Sequence, residues 1–199
     1  MARSLGALDT TWGQVTADLL LVLLVAFNAY MGWRHGTLRR VLAFGGVYLG
    51  AFAATNIGNG LASLLHPHSL YANAWAFVGI FVLVIVTVEI IGQILHDKVQ
   101  IAVVAFDRIA GSITGGIVGL AQALILFLVA LSMASVPADK NNTNVEPSRT
   151  AAAAAIKSAT LSGLAVRAEP QLKAVFSPAL PGDFTGHLGQ SLKVITPPT

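Results

Sequence analysis

Cysteine is missing from the sequence, and charged residues are scarce. The absence of cysteine excludes disulfides, thiol nucleophiles and cysteine-based zinc sites, and it leaves the redox compartment undetermined. Charged residues make up 11% of the 199 residues, whereas a soluble domain usually contains about 25%. Such a chain has too little charge to cover a surface in water. Its 55% hydrophobic content and mean hydropathy of +0.72 predict a protein embedded in a lipid bilayer.

The sequence also lacks the motifs of common enzyme and nucleic-acid-binding classes. It has no G-x-S-x-G nucleophile motif, and its glycine-rich stretch at 111–116 lacks the lysine of a phosphate loop. His66 and His68 flank Pro67, but no cysteine or nearby carboxylate completes a metal site. The net charge of +3 is spread between apolar blocks rather than concentrated in a patch. We predict no enzymatic activity, cofactor, metal or nucleic-acid partner.

Long apolar stretches dominate the first 137 residues. Each is long enough to cross a hydrocarbon core of about 30 Å at about 1.5 Å per helical residue. Proline at position 67 removes a backbone donor and separates two of the stretches. The pattern predicts four transmembrane helices, at 15–33, 41–64, 73–95 and 109–135. Residues 96–106 fit either a short interfacial helix or an ordinary loop.

The first apolar stretch begins near the N-terminus, where a cleavable signal peptide would lie. Its flank carries Asp9 and Asp18 and a single basic residue, Arg3, whereas a signal peptide has positive charge at this place. We therefore predict a retained transmembrane helix.

The composition becomes polar after Pro137. Alanines at 151–155 and the apolar residues after them favour one modest helix, and five prolines further on favour irregular structure. The predicted fold is all-α and polytopic, with about four transmembrane helices in two hairpins at 1–137. The tail at 138–199 is predicted to be polar, extracytoplasmic and largely irregular, either partly helical or disordered.

Basic residues in the short loops predict the orientation, because they accumulate on the cytoplasmic side of a membrane. Arg34, Arg39 and Arg40 lie in the first predicted loop, and Lys98 and Arg108 lie in the third. The second loop has neither lysine nor arginine. We expect both termini outside the cytoplasm.

Two short patterns carry a resemblance to a known family. One is GWRHGTLR, which contains Gly32, Arg34, Gly36 and Arg39. The other begins the fourth predicted helix and consists of Asp107, Arg108 and the glycines Gly111, Gly115 and Gly119. On four hydrophobic helices, these patterns resemble the colicin V production protein family (CvpA) of bacterial inner-membrane proteins. The resemblance covers residues 15–136.

The resemblance implies support of colicin V export and resistance of the bacterial envelope to stress, with no established enzymatic activity. Two positions depart from the family pattern: Arg40 stands where glutamate is common, and His35 where arginine is common. Our leading hypothesis is a non-catalytic helper or scaffold in envelope homeostasis or export. The alternatives are a small transporter or channel subunit, and an accessory subunit of a larger membrane complex.

The glycines of the second pattern recur every four residues, so they share one face of the fourth helix. Small residues let another backbone approach closely, which favours helix packing in lipid. The stripe of Gly111, Gly115 and Gly119 predicts packing within the bundle, self-association or contact with another membrane protein. A pore-lining role is the alternative.

Three charged side chains are candidates for specific contacts. Asp107 is placed either to cap the fourth helix or to pair with Arg34 or Arg39. Arg108 is placed to contact lipid phosphates. Glu89 lies deep in a predicted span, about 10 Å from its end, where an acidic residue often has a function. It fits either a structural contact with a nearby glutamine, Gln93 or Gln122, or an ion site of a transporter.

Overall fold

The computed structural model describes residues 2–65, 71–96, 104–135, 154–181 and 184–189. Every regular element in these ranges is an α-helix, which confirms the predicted all-α class. In chain order the helices are α1 (Ala2–Leu65), α2 (Ala72–His96), α3 (Val104–Ser135), α4 (154–158), α5 (Thr160–Val175) and α6 (Phe184–Gly189).

Three of the described helices are long and apolar enough to cross a membrane. Their candidate spans are Gln14–Leu64, Ala72–Ile94 and Phe106–Met133. The first has 51 residues, and as one straight helix it would be about 77 Å long, more than twice the thickness of a hydrocarbon core.

Helix α1 is broken at Gly36. This residue has φ 77° and ψ 179°, a backbone conformation that only glycine adopts readily. Arg40 Nη1 donates a hydrogen bond to Asn28 Oδ1 at 3.2 Å, although an unbroken helix would separate these residues by about 18 Å. The chain therefore turns back at Gly36, and we call residues 2–35 the first arm of α1 and residues 37–65 the second arm.

Each arm of α1 packs closely against one other long helix. The second arm lies antiparallel to α2, with Gly46 against Val88 and Gly50 against Phe81. The first arm lies antiparallel to α3, with Gly32 against Gly111. Glycines at these contacts let the backbones approach, as is common where helices pack in lipid.

The part of the tail that the structure describes is more helical than the predicted largely irregular tail with one modest helix. Residues 154–158, α5 and α6 are helical, and α5 continues through Pro170. Proline removes one backbone hydrogen bond from a helix, but apolar burial outweighs that loss. Six buried tail residues join α1, α2 and α3 in one core: Leu172, Phe176, Ala179, Leu180, Phe184 and Leu188. Ala159 and Ala165 belong to a second, smaller cluster with Phe127 of α3.

Two predicted segments lie partly or wholly outside the described residues. The loop with His66 and His68 is one of them, and residues 97–103 of the predicted interfacial segment are the other. Residues 104–106 of that segment belong to α3.

Candidate functional site

The break in α1 is held by Asp107 from the first turn of α3. Asp107 Oδ1 accepts a hydrogen bond from the Thr37 backbone N–H at 2.8 Å, and Thr37 Oγ1 donates to the Asp107 carbonyl oxygen at 3.1 Å. A carboxylate at the start of a helix satisfies a free donor and interacts favourably with the helix dipole. Asp107 therefore caps the second arm of α1, across the bundle from its own helix.

Glu89 on α2 is engaged by two arginines of the second arm. Its Oε2 lies 3.2 Å from Arg39 Nε, and its Oε1 lies 3.1 Å from Arg40 Nη1. The Arg40 side chain is 1% exposed and that of Glu89 is 22% exposed. Within the described residues Arg39 pairs with Glu89, and no ion pair joins Asp107 to Arg34 or Arg39.

A pair of buried amides extends this network into the first arm and α3. Asn28 Nδ2 donates to Gln122 Oε1 at 3.0 Å and lies at the same distance from the Leu24 carbonyl oxygen. Asn28 Oδ1 in turn accepts from Arg40. We call Asn28, Arg39, Arg40, Glu89 and Gln122 the charge cluster; it links both arms of α1 to α2 and α3.

Sequence reasoning singled out Glu89 but missed the central place of Arg40 and Asn28. Asn28 is a polar residue inside the first predicted helix, at 15–33, and polar residues inside a span usually face the protein interior. That depth was the available signal for Asn28, whereas Arg40 lies in the first predicted loop and gave no such signal. Glu89 contacts the two arginines, whereas Gln122 is bonded to Asn28.

The charge cluster carries one positive charge in excess, because two guanidinium groups face one carboxylate. Arg40 Nε is buried and has no hydrogen-bond partner among the described residues. The Glu89 carboxylate, by contrast, uses both oxygens on arginine. This arrangement can join helices strongly and holds its carboxylate in ion pairs.

The glycine stripe of α3 is covered by the first arm of the same chain. A Cβ atom on Gly111 would lie 2.7 Å from the Gly36 carbonyl carbon, and one on Gly119 would lie 2.9 Å from Val25 Cα. At Gly115 the nearest groups belong to the Asn28 backbone. The stripe forms an intrachain contact, so a partner protein would have to bind a different surface.

The remaining basic residues of the two family patterns stay on the surface. Arg34 and Arg108 are exposed and lie close in sequence to Gly36 and Asp107, which mark one end of the bundle. Exposed arginines at the end of a transmembrane bundle can reach the lipid headgroups.

An apolar crevice of about 290 Å³ lies between the first arm, α3 and α5. It is lined by aliphatic and alanine side chains, among them Leu21, Val25, Leu124, Leu164 and Ala165. It therefore offers no acid, base or nucleophile. Among the described residues no group of three His, Cys, Asp or Glu side chains could hold a metal ion.

The long apolar helices and the charge cluster between them define an integral membrane protein with a polar interior contact. The chain belongs to the colicin V production protein family, whose family model matches residues 17–162. This match confirms the resemblance drawn from the two sequence patterns and extends it beyond residue 136 into α5. No curated protein and no solved structure matches the chain.

Proposed function

We propose that this chain is a non-catalytic helper or scaffold of the bacterial inner membrane, acting in envelope homeostasis or export. The two arms of α1 with α2 and α3 would form four transmembrane helices in two hairpins. The exposed Arg34 and Arg108 at the Gly36 end support a cytoplasmic position for that end and an extracytoplasmic position for both termini. The match to the colicin V production protein family supports a membrane location for the chain.

The ion pairs of the Glu89 carboxylate favour a scaffold role over a transporter role. A carboxylate that carries protons or cations must release its partners during each cycle. Glu89 is instead held by two arginines, one of them almost fully buried, and a buried charge that loses its partner is strongly unfavourable. The charge cluster therefore serves as a fixed joint between helices.

Bilayer lipid and a further protein are the proposed partners. The glycine stripe is occupied within the chain, so self-association or contact with another membrane protein would use the outer apolar faces. One such face is on α2, where Val82, Leu83, Val86 and Ile90 are exposed.

Two measurements test the proposal. In a host strain lacking this gene, the chain should restore growth under detergent stress, and reconstituted protein should produce no proton or ion flux in proteoliposomes. Flux that Glu89→Gln abolishes would establish the transporter alternative. Gentle purification from native membranes gives the partner, and a stable stoichiometric complex with a larger assembly would favour the accessory-subunit alternative.

A further inference from the structure

Positions along the two arms of α1 can be used to measure how deep the tail lies in the bundle. Counted from Gly36 at about 1.5 Å per residue, Asp18 lies about 27 Å away along the first arm, Tyr48 about 18 Å and Thr55 about 28 Å along the second. Contacts of the tail with these residues show how far it enters the bundle.

Helix α5 starts near the end of the bundle opposite Gly36 and runs inward. Asp18 accepts hydrogen bonds from the backbone N–H groups of Thr160 and Leu161, both at 3.1 Å. At the other end of α5, the Phe176 ring lies 5.7 Å from that of Phe44 and 6.1 Å from that of Tyr48. Phe176 thus lies near mid-depth, about one helical turn beyond Arg40.

The chain then turns and runs outward again. Ala179 is bonded to Thr55, and His187 of α6 lies 3.1 Å from the Thr55 carbonyl oxygen and 3.3 Å from Asn59 Nδ2. Phe184 meets Phe77 edge-on with ring centroids 5.2 Å apart. The return path therefore follows the second arm and α2 back toward the end where α5 began.

Two backbone carbonyls of the non-helical turn accept hydrogen bonds from side chains of the second arm. Tyr48 Oη donates to the Ser177 carbonyl oxygen at 3.1 Å, and Thr55 Oγ1 donates to the Ala179 carbonyl oxygen at 2.9 Å. In a membrane, irregular backbone is tolerated where protein supplies its hydrogen bonds. Tyr48 and Thr55 are seven residues apart, so one helix face presents both hydroxyls.

We propose that the described tail residues 160–181 and 184–189 belong to a re-entrant membrane segment whose turn, at 176–181, closes the bundle above the charge cluster on the side opposite Gly36. The proposal rests on the membrane topology proposed above and goes beyond it. The tail is then part of the membrane domain rather than an appendage in the aqueous phase. While it is seated, water on that side does not reach Arg40.

Cross-linking in native membranes tests the position of the segment. The chain has no cysteine, so introduced pairs react without background. We expect Thr55→Cys with Ala179→Cys to be joined by a short bis-methanethiosulfonate reagent, and Thr55→Cys with the exposed Val166→Cys not to be. Ala29→Cys with Gly116→Cys is the control for the bundle, because the two Cβ positions are 4.0 Å apart.

The two cross-linking results distinguish a failure of the re-entrant segment from a failure of the four-helix bundle. If the control pair is joined and the Thr55–Ala179 pair is not, the re-entrant segment is wrong while the four-helix proposal stands. If neither pair is joined, both are wrong.

Thiol labelling tests the closure. Ala51 lies between Tyr48 and Thr55 on the second arm and is 0% exposed, so Ala51→Cys should react slowly with a membrane-impermeant maleimide. Adding Tyr48→Phe and Thr55→Val removes both hydroxyl donors, and we expect labelling from the side opposite Gly36 to become about tenfold faster. The matched control is Thr87→Val with Tyr30→Phe, since Thr87 bonds only within α2. Fast labelling before any donor is removed would overturn the closure, as would an unchanged rate afterwards.

Discussion

The Asp107 carboxylate lies directly against the α-carbon of Gly36, where the side chain of any other residue would begin. The nearest atom to a Cβ built on Gly36 is Asp107 Oδ2, followed by Asp107 Cγ at 2.7 Å. The same carboxylate bonds the Thr37 N–H. The break in α1 and its cap therefore depend on the smallest side chain at one position and an acid at the other.

Replacing Gly36 by alanine should destabilise the protein. Alanine is strained at φ 77° and ψ 179°, and its Cβ would displace the Asp107 cap. We expect a loss of about 2 kcal/mol or more, measured as a lower midpoint of thermal unfolding in mild detergent.

Gly45→Ala is the matched control for Gly36→Ala. Gly45 lies in the second arm, and a Cβ there would meet nothing within 4 Å. Alanine in a helix interior is more favourable than glycine by up to about 1 kcal/mol, so the midpoint should stay the same or rise. An equal loss in the two variants would contradict the special conformation of Gly36.

The charge cluster predicts an unequal cost for removing its two sides. Glu89→Gln leaves two arginines without a counter-charge, whereas Arg40→Gln leaves the Arg39–Glu89 pair intact. We expect Glu89→Gln to lose about 3–5 kcal/mol and Arg40→Gln to lose less. The double variant should be more stable than Glu89→Gln alone, because it has again one excess positive charge. Additive losses in denaturation of the three variants would show that the residues are not coupled.

The close contact of α3 with the first arm predicts a contrast between neighbouring glycines. A Cβ on Gly115 would lie 3.0 Å from the Asn28 carbonyl carbon, whereas one on Gly116 would lie 4.0 Å from Ala29 Cβ. Gly115→Ala should separate the helices and lower the unfolding midpoint, and Gly115→Leu should prevent α3 from packing against the first arm. Gly116→Ala should be tolerated, and equal behaviour of the two alanine variants would argue against this contact.

The proposed topology predicts that both termini face the same side. Single cysteines placed at Arg3 and at Thr199 should react with an impermeant maleimide in intact spheroplasts. A cysteine at the exposed Arg34 should react only in inverted vesicles. Labelling of the two termini from opposite sides would rule out an even number of spans.

The all-α membrane fold could be predicted from the sequence because apolar length and low charge leave few alternatives. The two arms of α1 are joined by a break at the single residue Gly36, whereas the sequence predicted a longer loop. Arg39 and Arg40 therefore lie in the second arm, where they pair with Glu89 on α2 instead of facing water. Glu89 was recognisable by its depth. Its partners were not, because they lie 49 and 50 residues away in the chain and only packing brings them together.

The full extent of helix in the tail could not be predicted for a related reason. Its prolines favour irregular structure when the segment is considered alone. The residues that order it, such as Phe176 and Phe184, find their partners on α1 and α2. Local sequence does not report such distant contacts.

The pairing of Arg39 and Arg40 with Glu89 also constrains how the chain enters the membrane during synthesis. The second arm emerges from the ribosome with two arginines only three and four residues after Gly36, and a charged side chain in a membrane span is unfavourable without a partner. Their counter-charge is made only when α2 follows. The two helices should therefore leave the translocon together, and a chain stopped at residue 65 should integrate its second arm poorly in an insertion assay.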